Sequence, residues 1–233
     1  MENLKPNGQR AKIAIMLLWI VLTVEIISLL SDYLQYDLLQ TVANGGQISS
    51  ETATDNDLRQ KIIAMIYLAV FIISGITFIQ WFRRAYYNLH LKAERLSFTE
   101  GWAAGCWFVP ILSLYRPNQI MKELYQETQR LLSQKNKNYA QNLTTHSIGW
   151  WWALWIISSF LGQFLFRYSS KAETIDELIT STIASIIASI IGIPLAIITV
   201  KVIKDYAEIE PLLYELKDGE EEIPDTDLQS LEK

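Results

Sequence analysis

By position alone, Glu25 is the side chain in this 233-residue chain best placed to do chemistry. It stands inside the apolar run Ile13 to Leu30, where an ionised carboxylate costs several kcal/mol unless it pairs or protonates. An acid so placed is either a protonatable relay or cation site, or polar glue between helices worth about 1 kcal/mol. The third apolar run crosses in the same direction as the first. That brings Gln163 and, one turn on, Arg167 to the depth of Glu25, so a Glu25 contact with Gln163 or Arg167 is the expected pairing.

A second set, Arg83, Arg84, Asn88, Arg95, Trp102, Trp107, Arg116 and Pro117, lies between the second and third runs. Its arginines suit anionic headgroups or phosphorylated ligands. They also suit simple retention on the inner side of a membrane, with internal pairing to Glu94, Glu100 or Glu123. In the fourth run, Ala184, Ala188, Gly192 and Ala196 recur every four residues beside Ser181, Ser185 and Ser189. Such a stripe lets backbones approach closely, within the bundle or between two copies of the chain. Trp150, Trp151, Trp152 and Trp155 open the third run and read as interfacial anchors rather than a cation cage.

Patterns for catalysis are missing. His90 and His146 are far apart, the single Cys106 has no partner for an internal disulfide, and no zinc, phosphate-loop or nucleophile-elbow motif occurs. The sequence therefore gives no reason to expect an enzyme, a metal or a cofactor. Asn142-Leu143-Thr144 matches a glycosylation acceptor but falls on the expected inner side. Nucleic-acid binding is not expected either, because the basic residues sit among acids and are explained by topology.

The elements that must position these residues follow from hydropathy. The chain is 50% hydrophobic with eight Trp and one Cys, which excludes disordered, collagenous and disulfide-scaffold classes. Its apolar residues come in four blocks, at about 13–30, 62–82, 148–166 and 179–203. Each nears the roughly 20 residues that cross a hydrocarbon core of about 30 Å. The first block has no small-residue cleavage pattern after it and is read as a permanent helix.

Lys5, Arg10 and Lys12 precede the first span, and nine Lys or Arg lie in 83–147, against two each in 31–61 and 167–178. Basic residues resist export, so both termini and the long loop are expected in the cytoplasm, with the protein multipass in the cytoplasmic membrane. Residues 205–233 hold 11 acids and two lysines, against 14 acids and 18 basic residues elsewhere, and read as an acidic, disordered tail after a membrane domain of residues 1–204.

A loop of about 65 residues without structure is not expected in a compact protein. Within it, Gly101 to Tyr115 is uncharged but too short to span and is interrupted by Pro110, which predicts a re-entrant or interfacial segment. Pro117 then suits a helix start, and Ile120, Met121, Leu124, Tyr125, Leu131 and Leu132 form the stripe of an amphipathic helix. The fold class expected is all-α: an integral membrane bundle of four transmembrane helices with these two cytoplasmic additions.

Trp81, Arg84, Ala85, Tyr86, Asn88 and Leu89, then Phe98, Gly101, Trp102, Trp107, Phe108, Pro110, Arg116, Pro117 and Met121, then Trp151, Trp152 and Trp155, form a constellation over roughly residues 60 to 200. It resembles a bacterial membrane family known only as a domain of unknown function, the four-three-two-eight family. That family often carries an aromatic residue where Cys106 stands here, and Asn or Gly near Ser113. The resemblance implies a multipass membrane protein and no established reaction. Two functional expectations remain: a scaffold or sensor-type interaction protein using the cytoplasmic loop, or a small transporter or channel subunit with a pathway near Glu25. The first expects Glu25 to be sealed and the second expects it to face a wet cavity. The partners expected are the bilayer, anionic headgroups, and a second copy or another membrane protein.

Overall fold

The computed structural model describes residues 4–135 and 145–216, and among them every regular element is helical. Six helices follow in order: α1 Gly8–Ala43, α2 Ser50–His90, α3 Trp102–Gly105, α4 Arg116–Lys135, α5 His146–Ser169 and α6 Ile175–Ile209. Three 3-10 turns, Cys106–Phe108, Leu112–Leu114 and Glu210–Glu215, complete the regular structure among the described residues. The protein is a four-span helical bundle, for α1, α2, α5 and α6 are each long and apolar enough to cross a membrane. Their lipid-facing sides carry exposed apolar residues such as Met16, Trp19, Leu68, Phe71, Phe160 and Ile190.

Helix ends are set locally. The Ser49 hydroxyl accepts the Thr52 amide at 3.0 Å to open α2, and Gly45, at φ 85°, turns the chain between α1 and α2. Thr174 and Glu177 form a reciprocal capping box at the start of α6. The α6 helix runs through Pro194 without a break.

In the bundle α1 packs against α2 and α6, and α6 against α1 and α5. Ala11, Ala14, Leu18 and Val21, spaced by three and four, are buried on α1. The dense core is not at mid-membrane. It lies at the end where α1 begins and α6 ends, here termed the base. There the last turns of α2 (Trp81, Phe82, Ala85, Tyr86, Leu89) meet the stripe of α4 (Ile120, Met121, Leu124, Tyr125), the first turns of α5 and the last turns of α6 (Val202, Ile203, Tyr206), nearly all fully buried.

The segment expected as re-entrant or interfacial is one short helix followed by 3-10 turns, with Phe108 and Ile111 the most exposed of its apolar residues. Residues 205–215, expected as part of the disordered tail, are helical and docked. Tyr206, Ile209 and Leu213 recur at three- and four-residue spacing and are buried, which outweighs the local acidity. Asn142-Leu143-Thr144, Lys137 and the acidic run beyond residue 216 lie outside the described residues.

Candidate functional site

Glu25 is buried, with 6% of its surface exposed, and its partners differ from those expected. The Tyr67 hydroxyl of α2 donates to Glu25 Oε1 at 2.8 Å, and the Ser189 hydroxyl of α6 is also within hydrogen-bonding reach. The carboxyl lies on Gly192, where an added Cβ would stand 2.7 Å from Glu25 Cδ and 3.2 Å from Oε2. Gln163 and Arg167 are elsewhere, lining an open cavity of about 690 Å³ beside α5 with Phe160, Phe164, Tyr168, Lys171, Ala172 and Glu177. The expected pairing fails because α6, not α5, packs against α1. Lateral order around the bundle is not written in hydropathy.

A polar column continues from Glu25 toward the far end. Asp32, two turns on along the same face of α1, accepts from the Ser185 hydroxyl at 2.6 Å and is also reached by Gln60. Gln35 donates to Thr182 at 2.8 Å, and Arg59 donates to Ser31 Oγ at 3.0 Å and to Asn56 Oδ1 at 2.6 Å. Within the small-residue stripe, Gly192 meets α1, Ala196 is buried, and Ala184 and Ala188 are half-buried.

At the base the residues singled out from the sequence divide by burial. Asn88 and Pro117 are buried, so neither is a contact residue. Asn88 is a clamp: its amide donates to Glu210 Oε1 at 2.7 Å and to the Lys5 carbonyl at 2.9 Å, while its Oδ1 accepts the Lys5 amide at 2.9 Å. Asn7 donates to the same carboxyl at 2.9 Å and to the Trp81 carbonyl at 3.3 Å. Trp107 packs edge-on against Phe78, Trp155 and Trp151 at 5.7, 5.4 and 6.4 Å between ring centres.

Trp151 and Trp152 are buried in that cluster, and of the four tryptophans expected as anchors Trp150 is the most exposed. Arg83, Arg95 and Trp102 are exposed, and Arg84 and Arg116 half-buried. Arg83 pairs with Glu100 at 3.3 Å, and Arg116 lies 4.5 Å from the centre of the Phe98 ring. Arg10, absent from the sequence-based set, joins this surface. It donates to the Gln80 carbonyl at 3.1 Å, and partial burial together with Arg84 and Arg83 lowers its pKa. Its place before the first span was the available signal.

Glu210 lies beyond the spanning part of α6 and is also buried. Burial raises its pKa above the ordinary 4.5, only partly opposed by the Asn88 and Asn7 amides and by Arg84. A carboxyl that holds its proton more tightly folded than unfolded contributes most below about pH 4.5, and that contribution is lost as pH rises through the folded value. Glu210→Gln, neutral at every pH, is therefore expected to flatten the fall of melting temperature between pH 4.5 and 7.5, read as the difference from wild type. Parallel curves for the two proteins would refute this assignment.

Among the described residues, no three His, Cys, Asp or Glu side chains gather as a metal site. His90 is bonded to the Phe98 carbonyl at 2.9 Å, and burial pushes the Cys106 thiol up to about 11.

The fold and its packed base define a class: a helical membrane bundle whose intervening loop is folded into the structure. Residues 44–208 match a family model described as Domain of unknown function (DUF4328), and the chain belongs to that family. No curated protein and no solved structure matches the chain. The match includes Asn88 and the aromatic cluster but excludes Asn7 and Glu210.

Proposed function

We propose that the protein is a membrane scaffold or sensor-type interaction protein. The base lies on the cytoplasmic side, and its rim of Arg83, Arg84, Arg95, Trp102 and Arg116 is the contact surface. The observation that carries this reading is the sealed position of Glu25 on Gly192, bonded to Tyr67, which suits a structural tie better than an open pathway. The loop supports it too, since a connection that only linked two spans would not need a buried aromatic core. Phe108 and Ile111 seat the base in the interfacial plane, and Arg10, Arg83 and Arg84 face anionic headgroups there. Catalysis is not part of the reading.

Photocrosslinking residues introduced in place of Trp102 and Arg95 are expected to give discrete adducts in native membranes, while the same residue in place of Tyr33 at the far end gives none. Adducts distributed equally over the three positions would sink the proposal. The polar column from Asp32 to Glu25 favours a second reading, a transporter subunit. Liposome flux of protons or cations that Glu25→Gln abolishes would decide for it, and absence of flux in both proteins would decide against it.

A further inference from the structure

The cavity beside α5 combines two features that nothing at the base requires. Arg167 and Lys171 line it, and among the described residues neither side chain has a hydrogen bond or an ion pair. Glu177 also lines it but is already engaged, its Oε2 accepting the Glu173 and Thr174 amides at 2.9 and 3.0 Å in the capping box of α6. The cavity therefore holds two positive charges and one carboxylate that is fixed elsewhere.

Below the charges the wall is apolar and flat. Phe164 and Tyr168 stack at 5.2 Å with 17° between their planes, and Phe160 continues the wall one turn deeper. Phe160 lies seven residues before Arg167 on α5, about 10 Å lower at 1.5 Å per residue. Arg167 stands at the end of the apolar run, the level of headgroups, and Phe160 at the level of acyl chains.

We propose that this cavity, of about 690 Å³, binds one anionic phospholipid. The lipid phosphate lies between Arg167 and Lys171, Gln163 donates to the ester oxygens, and an acyl chain follows Phe164 to Phe160. Charge at headgroup depth over an aromatic wall at chain depth is the complement of such a lipid; a soluble anion would have no use for the wall.

Native mass spectrometry of the full chain, released from vesicles of equal phosphatidylglycerol and phosphatidylcholine, tests this. Wild type is expected to retain one phosphatidylglycerol that the R167Q/K171Q variant loses, with preference falling roughly 30-fold, from about 1 kcal/mol for each of the two cations. Phe164→Ser is expected to weaken retention, and Arg130→Gln on α4, which pairs with Glu127 at 2.8 Å, to leave this lipid in place. No preference in wild type, or an unchanged preference in R167Q/K171Q, overturns the proposal. Glycerol phosphate binding as tightly as the lipid overturns it in favour of a soluble anion. Should the glutamine pair lower the melting temperature, R167K/K171R must keep the preference, and its loss would equally refute the charge-based site.

Discussion

Replacing Trp151 by alanine is expected to cost about 3–5 kcal/mol, the usual range for removing a fully buried aromatic side chain. Trp151 is 1% exposed and lies 5.9 Å from Phe78, 6.4 Å from Trp107 and 5.5 Å from Trp152, so its loss opens a void where α2, α5 and the loop meet. The neighbouring residue supplies the control. Trp150 is 59% exposed and donates only to His146 at 3.2 Å, so Trp150→Ala is expected to change stability by no more than about 0.5 kcal/mol. Denaturant unfolding of both variants in the same micelle reads the difference. Equal effects would mean that the tryptophans act as interfacial anchors and not as core.

Gly192→Leu is expected to lose about 3 kcal/mol, the upper part of the usual cost of overpacking. The first added carbon already meets the Glu25 carboxyl, 2.7 Å away at Cδ. That carboxyl cannot swing aside without giving up Tyr67 and entering lipid. Glu25→Ala in the same chain vacates the volume and is expected to restore most of the loss, a coupling between two helices that a double-mutant cycle measures directly. Gly75, with nothing within 4 Å of its added Cβ, is the matched control, and Gly75→Ala is expected to be neutral or stabilising by up to about 1 kcal/mol. A Gly192→Leu variant as stable as wild type would refute the close approach of α1 and α6.

The four spans and the helix from Arg116 were legible because each rests on one-dimensional periodicity: long apolar blocks, or apolar residues three and four apart. Pro110 likewise marked the uncharged loop segment as unfit to span. The partners of Glu25 were not legible. Depth along the membrane normal can be counted from the sequence, but which helix stands beside which depends on packing. Tyr67 was in reach of that count, since α2 runs antiparallel to α1 and places it at the same height. Asn88 and Pro117 were grouped with the candidate contact residues, but both are buried in the base. Glu210 was hidden by its setting, an acid at the start of an acid-rich segment, although Tyr206, Ile209 and Leu213 around it already carried helical spacing.

The carboxyl that ties the base also sets an order in time. Asn7 and Glu210, 203 residues apart, meet across it. At about 5–20 residues per second, roughly 10–40 s of synthesis separate them. Until Glu210 is made the amides of Asn7 and, once synthesised, Asn88 have no carboxylate to hold, and the first three spans are inserted before the base can close. Assembly therefore ends only once translation has passed Glu210, beyond the fourth span. A ribosome stalled between residues 180 and 205 would present a nascent chain with three spans inserted and its base still open to chaperones and proteases.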